Sequence, residues 1–371
     1  MMLARMLLPL MLLAAGDSPA QERIDVNDMK REDLAPFVAQ VKEKGLAPVP
    51  YLVKSFEKGD VVFLGETHWI RENCRLVADA VGPLYREAGV RRLATEFLRS
   101  RHNEKINAIV TAPEYDEAAV IALMRDGPWP IWGFREYEDI YEAVWKLNRS
   151  LPEDSEPLLI LGLDSEWDQH ALWFEIEDKM KSFQVRLDRE KHMTKVLEEG
   201  AFAANRKTLV HVGAAHALVC HGERLATVLY RKYPDRIFQI HLHSNIAAGR
   251  SRSRLTRMIE AIHEMNGGAP VGFDVLGTSF GELRDRHVVG WRYLPNKCFS
   301  DFAQGYLVLA PLDGLHRVNW IEGFVTDAAF AKAERICVKC GWVKKGESKG
   351  AKELNAALAK RFAGKLISES K

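Results

Sequence analysis

The segment Val61-Val62-Phe63-Leu64 is a short apolar run of β-branched and aromatic character, and Gly65-Glu66-Thr67-His68 follows it directly. A run of this length, bounded by turn and polar residues, predicts a buried β-strand. In open parallel sheets, ligands bind beyond the carboxyl ends of the strands. We therefore expect the glutamate and the histidine of this segment to stand at the functional edge of a sheet.

Apolar runs of the same kind recur along the chain. Between most of them lie segments of helical period, such as the apolar stripe from Leu76 to Tyr85. Strands that alternate with amphipathic helices indicate an α/β fold, with a mostly parallel central sheet and helices on both of its faces. The further predicted strands are Leu93-Ala94 with its flanks, 158–161, 209–212, 237–240, 272–276 and 306–309.

The connection between the second and third runs is long, roughly residues 100–157, and its pattern predicts two or three helices. We expect it to form a helical insertion over the carboxyl edge of the sheet. It contains the aromatic cluster Trp129-Pro130-Ile131-Trp132-Gly133-Phe134, which is too dense for a plain loop. The predicted organisation is a helical lead-in at 21–57, an α/β domain at 58–335, and a Cys-x-x-Cys segment with an exposed helix and Lys-rich tail at 336–371.

Composition narrows the classes of partner. The 371 residues are 47% apolar and 28% charged, with a formal net charge of +1, which is ordinary for a globular protein. This balance gives no reason to expect nucleic acid or an anionic membrane as a partner. Five cysteines are present, and Cys337 and Cys340 are spaced for a local disulfide or half of a zinc site. No second ligand pair lies nearby, so we favour a disulfide or two plain thiols.

The first 20 residues have the pattern of a signal peptide. Arg5 precedes an apolar stretch, 6–15, that is too short to span a bilayer, and Ser18-Pro19-Ala20 supplies the small residues of a cleavage site. Cleavage after Gly16 is the alternative. No later segment has the apolar length of a transmembrane helix. We expect the mature protein to be exported, either periplasmic or secreted, and soluble outside the cytoplasm.

Carboxylates and imidazoles follow five consecutive predicted strands. Two strands end in the same Gly-x-x-His pattern, at Gly65 and at Gly213, and a strand ending in Glu96 lies between them. A glycine there permits a tight turn or a close backbone approach. We expect one concavity to be lined by Glu66, His68, Glu96 and His216. Further strand-end residues are Asp164, the weaker candidate Glu166, and His241 and His243.

These residue types permit two mechanisms. Histidine and carboxylate at one site can hold a divalent metal ion that activates water, with imidazole nitrogen and carboxylate oxygen as ligands. Alternatively, His68 is a general base whose orientation is fixed by a carboxylate partner. A third reading has no catalysis, because strand ends meet water and Glu66, His68 and Glu96 can form a purely structural hydrogen-bond network. His211 alternates with Val210 and Val212 inside a strand and is expected to be a hydrogen-bonded core residue.

The chain resembles a known superfamily at these positions. Gly65-Glu66-Thr67-His68-Trp69-Ile70-Arg71-Glu72 is similar to the opening motif shared by erythromycin esterases, ChaN-like haem-binding proteins and Tiki/TraB proteins. Val212-Gly213-Ala214-Ala215-His216-Ala217 resembles the second motif of the Tiki/TraB branch. Glu96 matches the acidic residue that follows the second strand. The resemblance covers roughly residues 58–312.

The branches of this superfamily imply different functions. The esterase branch implies metal-free water activation by His68 with Glu66 and Glu96, and Arg71-Glu72 belongs to its motif. This chain has one residue fewer between its glutamate and histidine than that motif has. The Tiki branch implies a metal-dependent peptidase that uses His68, Glu96 and His216. The haem-binding branch implies no catalysis. We predict an exported hydrolase acting on a small-molecule ester or a peptide, with a haem- or metal-binding protein as the alternative; substrate and oligomeric state stay open.

Overall fold

The computed structural model describes residues 23–220, 222–244, 252–285 and 297–367. The predicted signal peptide, residues 1–20, lies outside the described part of the chain. The strands are β1 Ile24–Asp25, β2 Val61–Glu66, β3 Arg92–Arg99, β4 Leu159–Asp164, β5 Thr208–Gly213, β6 Ile237–Leu242, β7 Val271–Asp274, β8 Leu283–Arg284 and β9 Gly305–Val308.

The central sheet has seven strands in the order β4-β3-β5-β2-β6-β9-β7. Neighbouring strands are parallel except at one edge, where β7 runs antiparallel to β9. Strands β1 and β8 form a separate two-stranded sheet. Each apolar run that predicted a strand lies in the central sheet, so the predicted mostly parallel α/β fold is confirmed.

Helices cover both faces of this sheet. None of the described helices is both long and apolar enough to cross a bilayer. Their bounds are α1 Ala35–Lys44, α2 Pro48–Ser55, α3 Arg71–Pro83, α4 Asn103–Val110, α5 Glu117–Arg125, α6 Arg135–Ser150, α7 Gln169–Phe174, α8 Lys179–Leu197, α9 Ala214–Ala217, α10 Leu225–Lys232, α11 Arg254–Met265, α12 Phe299–Phe302, α13 Phe330–Lys339 and α14 Ala351–Arg361.

Strand β2 lies in the middle of the sheet and is buried on both faces. Successive side chains of a strand point to opposite faces. Val62 and Leu64 accordingly join the core formed with α3 and α6, whereas Val61 and Phe63 join the core formed with α8 and α10. Burial on both faces explains why this strand reads as a continuous apolar run rather than an alternating one.

The register of β2 with β5 aligns the two Gly-x-x-His motifs. Gly65 pairs with Val212 and Glu66 with Gly213, so both strands end at the same level. His68 therefore leaves the sheet beside the start of α9, which carries His216. This strand pairing places the two similar motifs next to each other in the structure.

The connection between β3 and β4 contains three helices, α4, α5 and α6. Helix α6 packs beside α3 on one face of the sheet, with Tyr137 and Val144 buried in that core. The segment between α5 and α6 reaches the carboxyl edge, where it places Trp129 and Trp132. Met124 at the end of α5 lines the same cavity, so the part of the insertion at this edge is the end of α5 with the segment that follows it.

The C-terminal residues belong to the main hydrophobic core. We expected an exposed helix and tail there, but Leu354, Leu358 and Phe362 are at most 1% exposed. They pack in the same cluster as Phe134 and Trp320, because helix α14 closes the outer side of the α3–α6 layer. Cys337 and Cys340, for which a disulfide was one expectation, are both free thiols.

The apolar side chains between residues 167 and 199 are not buried as one continuous face. Met180 and Phe183 are 72% and 59% exposed. The segment is two helices, α7 and α8, and the buried side chains of α8 lie in its second half, at Glu190, Met193 and Leu197 among others. The first half extends beyond the core, where its apolar residues have nothing to pack against.

Candidate active site

A cavity of about 130 Å³ lies at the carboxyl ends of the sheet strands. It brings together four of the predicted site residues, His68, Glu96, Asp164 and His216. Glu66 does not line the cavity and is buried beneath His68, which it contacts. The remaining walls are mostly aromatic or cationic: Phe97, Trp129, Trp132, Trp167, Arg186 and Arg189.

The Glu66 carboxylate orients His68. Its Oε1 atom lies 2.9 Å from Nδ1 of His68, and it also accepts a hydrogen bond from the Tyr137 hydroxyl. Its Oε2 atom lies 2.7 Å from Nε2 of His211. Three neighbours thus hold this carboxylate in place, and a carboxylate held in place fixes the plane and tautomer of the imidazole it contacts.

Glu66 is ionised at neutral pH. Burial alone would raise its pKa, but the charge and hydrogen bonds of His211 and His68 outweigh burial, so the pKa of Glu66 is lowered. Oε1 of Glu66 faces Nδ1 of His68. The other ring nitrogen of His68, Nε2, lies 3.7 Å from Glu96 Oε1, beyond hydrogen-bond distance.

Glu96 is held on both sides by buried groups. Its Oε1 atom accepts a hydrogen bond from the backbone N–H of Gly213. Its Oε2 atom lies 3.0 Å from Nη2 of Arg189 and 3.0 Å from Nε2 of His216. Burial works to raise the pKa of Glu96, but His216, Arg189 and His68 hold it well below its usual range.

Arg189 links Glu96 to Asp164. Its Nε and Nη2 atoms donate to the two oxygens of Asp164, over 2.8 and 2.9 Å. The Asp164 side chain has no exposed surface, and it also accepts from Nε1 of Trp167 over 2.8 Å. A bidentate arginine–carboxylate pair has a defined geometry, so these residues form a stiff wall of the cavity.

His216 lies between two carboxylates. Nε2 faces Glu96, and Nδ1 lies 2.8 Å from Oε1 of Glu190. Burial would lower the pKa of His216, but Glu96 and Glu190 together raise it to about 9. Nε2 of His216 also lies 3.1 Å from Nη1 of Arg189, and Oε2 of Glu96 accepts a hydrogen bond from Nη2 of Arg189.

His68, Glu96 and His216 do not fit a divalent metal ion in this arrangement. A metal ligand needs a deprotonated imidazole nitrogen, whereas both nitrogens of His216 face carboxylates. The Arg189 guanidinium already supplies positive charge between Glu96 and Asp164. In the described part of the chain, no group of three or more His, Cys, Asp or Glu has the geometry of a metal site; this includes the segment with Cys337 and Cys340.

Haem does not fit the cavity either. The volume of about 130 Å³ is well under the roughly 300 Å³ at the lower end of pockets for drug-sized ligands, and a porphyrin is larger than most of those. The ring of Trp132 also lies beside the imidazole of His68, at a centroid distance of 5.1 Å.

Aromatic rings confine His68. Phe97 and Trp132 stack on each other at 5.2 Å, and both meet the imidazole edge to face. Trp69 follows His68 directly with a left-handed backbone, at φ 66°. Its ring packs against Trp132 and Trp342, at centroid distances of 5.8 and 5.0 Å. A bulky residue in this conformation is strained, and such strain clusters at functional sites.

Comparison with known proteins relates this arrangement to solved folds. No protein-family model matches the sequence, and no curated protein matches it. A mutant erythromycin esterase in its open conformation matches with a TM-score of 0.50 at 10% identity, over 70% of this chain and 92% of that chain.

The chain shares its fold with an erythromycin esterase.

Two further solved structures are similar, one with a higher TM-score than the esterase and one with a lower score. A succinoglycan biosynthesis protein matches with a TM-score of 0.53 at 11% identity, over 76% of this chain and 98% of that chain. The haem-binding ChaN of Campylobacter jejuni matches at only 0.38 and 14% identity, over 54% and 91% of the two chains, too weak a likeness to argue from. At these identities, the likenesses to the esterase and to the succinoglycan biosynthesis protein show a shared fold.

Within this esterase-like fold, Arg71 and Glu72 lie away from the cavity. Both oxygens of Glu72 contact His316, one at its backbone N–H and one at Nδ1, over 2.9 and 2.8 Å. Arg71 reaches the carbonyl of Gly364 over 3.5 Å. The motif residues that we expected to support the site instead tie α3 to the C-terminal segment.

Three other predicted site residues, Glu166, His241 and His243, make their contacts outside the cavity. Glu166 pairs with Arg99 over 2.7 Å at the surface. His241 and His243 contact Ser244 and Tyr306 and do not line the cavity. Their strand, β6, lies on the opposite side of β2 from β5 and β3, so its end is displaced from the cavity.

Sequence reasoning missed Arg189, Glu190 and Tyr137. Arg189 and Glu190 lie within the charged helix α8, where charged residues usually form a solvated face. Tyr137 was identified only as a member of an apolar stripe, which it is, with its hydroxyl turned to Glu66. A weak signal was available for it, because a buried tyrosine hydroxyl normally has a hydrogen-bond partner.

Proposed function

We propose that this protein is a hydrolase in which His68 activates a water molecule as a general base. One observation carries the proposal: Nδ1 of His68 is held by the buried, ionised Glu66, while the residue itself lines the cavity. This leaves Nε2 as a proton acceptor with no hydrogen-bond partner among the described residues. The pairing of a base with a group that orients it is the arrangement that general-base catalysis requires.

The proposed reaction is hydrolysis of an ester or amide. A water molecule at Nε2 of His68 loses a proton to that nitrogen as its oxygen attacks the carbonyl carbon. The imidazolium that forms lies between Glu66 and Glu96, and both carboxylates stabilise its charge. The same proton then passes to the leaving group as the bond to the carbonyl carbon breaks.

The other polar residues have positioning roles in this proposal. Glu96 is kept anionic by His216 and Arg189, so it favours the protonated state of His68. Asp164 and Glu190 in turn hold those two cations. The aromatic walls exclude bulk water, which strengthens electrostatic interactions inside the cavity.

The proposal is tested by His68→Ala on a panel of nitrophenyl esters and peptide amides. Turnover should fall by about two to four orders of magnitude, while the thermal midpoint stays near that of the parent. His192→Ala is the matched control, because His192 is a histidine of α8 that contacts Ser100 and does not line the cavity. A parent without hydrolytic activity on the panel, or a His68→Ala variant with full turnover, contradicts the proposal.

We also propose that the protein is exported after removal of residues 1–20. The support is the sequence pattern around Arg5 and Ser18-Pro19-Ala20. Protein recovered from an export-competent host should begin at Gln21, or at Asp17 for the alternative site. An intact Met1 on protein found outside the cytoplasm contradicts export by cleavage.

A further inference from the structure

Arg186 is a cavity residue without a partner. It stands three residues before Arg189 on α8, so the two side chains share one face of the helix, and both line the cavity. Within the described ranges, Arg186 makes no hydrogen bond or ion pair. Arg186 is solvent-exposed where it lines the cavity. Partial desolvation, followed by the neighbouring cations Arg224 and Arg189, lowers its pKa.

The charged side chains that line the cavity are paired with opposite charges, except for Arg186. Glu96 and Asp164 are the lining carboxylates, and they are matched by Arg189 and His216. Arg224, just outside the lining, is matched by Glu190 over 2.7 Å. Arg186 is therefore the one lining charge left without an opposite charge among the described residues, and the excess is a single positive charge.

The surface beside Arg186 is apolar. Phe183 and Met180 precede it on the same stripe of α8 at three-residue spacing, and they are 59% and 72% exposed. Only one other large apolar side chain in the described ranges, Leu276, is comparably exposed. Inside the cavity, Trp129 and Trp132 continue the apolar surface. A guanidinium flanked by apolar surface on both sides suits a ligand that is apolar apart from one anionic group.

We propose that the substrate carries a carboxylate a few bonds from its scissile ester or amide bond, and that Arg186 binds this carboxylate. The inference rests on the proposed hydrolase function and names the substrate class of the same site. A guanidinium presents two parallel N–H donors that match a carboxylate, and one excess charge matches a monoanion. The aromatic walls bind the apolar body of the substrate.

Binding and turnover are measured separately to test this. Calorimetry measures the binding of phenylacetate and of the neutral phenylacetamide to the parent, Arg186→Gln and Arg186→Lys. Lys181→Ala is the control, because Lys181 is an exposed cation of α8 outside the cavity. Losing a hydrogen bond to a charged group should weaken phenylacetate binding by about 10- to 100-fold in Arg186→Gln. Arg186→Lys should lie between, and Lys181→Ala should equal the parent.

The outcomes separate this inference from the hydrolase proposal. Equal affinity of the parent for both probes, or unchanged phenylacetate binding in Arg186→Gln, overturns the carboxylate assignment even if His68-dependent hydrolysis is present. With esters, Arg186→Gln should raise KM for a carboxylate-bearing substrate and leave KM for its neutral amide analogue unchanged. If the parent binds phenylacetate through Arg186 but hydrolyses no ester, the hydrolase proposal is overturned instead. The site is then a carboxylate-binding site.

Discussion

Gly213 and His68 approach each other so closely that position 213 has no room for a side chain. A Cβ there would lie 2.6 Å from Cε1 of His68 and 2.8 Å from Oε1 of Glu96. The glycine of the second Gly-x-x-His motif is thus required by the histidine of the first, rather than by its own backbone angles. The two motifs function as one unit at the end of β2 and β5.

Gly213→Ala should displace the imidazole and reduce turnover by about two orders of magnitude or more, as loss of the base does. Overpacking of this kind also costs about 1–3 kcal/mol of stability. Gly350→Ala is the matched control, because a Cβ at that position meets no atom within 4 Å. Full turnover in Gly213→Ala would show that His68 tolerates displacement, which is incompatible with its proposed role.

Glu66→Gln and Tyr137→Phe should separate orientation of His68 from simple packing. Glu66→Gln removes the negative charge that faces Nδ1 of His68, and it leaves His211 and Tyr137 without the carboxylate they contact. Turnover should therefore fall, and the free energy of unfolding should fall by roughly 1–3 kcal/mol. Tyr137→Phe removes one hydrogen bond and keeps the ring, so it should cost about 1 kcal/mol with a smaller loss of turnover. Denaturant titrations and steady-state kinetics measure both. Equal losses of turnover in the two variants would argue that Glu66 has no special part.

Stability should fall at alkaline pH because of His216. Its pKa is raised to about 9 in the folded protein, against about 6.5 when unfolded. The stabilisation is therefore complete below about pH 6.5 and is lost as the pH rises through 9, an effect of roughly 3 kcal/mol. Unfolding titrations between pH 6 and 10 should show this slope in the parent and a shallower one in His216→Gln. Identical slopes would mean that His216 is not protonated between its carboxylates.

The contribution of Glu190 to stability has the opposite pH dependence, because it is lost at low pH. The pKa of Glu190 is lowered to about 2, since His216 and Arg224 together outweigh the effect of burial. Its stabilisation is present above about pH 4.3 and is lost as the pH falls toward 2. It is the same ion pair seen from the carboxylate, so the two contributions are not added.

Chelation should leave turnover unchanged. The two ring nitrogens of His216 face Glu96 and Glu190, and Arg189 provides positive charge beside Glu96. Activity is measured after dialysis against EDTA and again after addition of Zn²⁺. Loss of turnover on chelation with recovery on Zn²⁺ would require Arg189 to leave Glu96 and Asp164, and would favour the metallopeptidase mechanism.

The strands and the strand-end residues were predictable because their signals are local. A buried parallel strand has to be apolar along its length, and Val61-Val62-Phe63-Leu64 is so regardless of the rest of the chain. Parallel pairing then puts Glu66, Glu96 and Asp164 at one edge without further information. The sequence cannot show that Glu66 lies beneath His68 rather than beside it, since this depends on the path of the backbone after β2.

The contributions of α8 and of the C-terminal segment were not predictable in this way. Arg189 becomes part of the site because α8 packs against the sheet through Met193 and Leu197, one and two turns further along the helix. Similarly, Leu354 and Leu358 are too few to identify α14 as a core helix by composition. The attachment of Glu72 to His316 joins residues 244 positions apart, which no local pattern encodes.

The position of Trp69 has a consequence for how the molecule opens. Its ring touches Trp132 of the insertion and Trp342 near the C-terminus, so three distant parts of the chain meet one residue after His68. Regions that share buried contacts of this kind tend to unfold as one cooperative unit. Backbone amides around residues 68, 132 and 342 should therefore exchange with deuterium at a common rate. Loosening the C-terminal helices α13 and α14 should then speed exchange at the loop that carries His68, even though no residue of those helices lines the cavity.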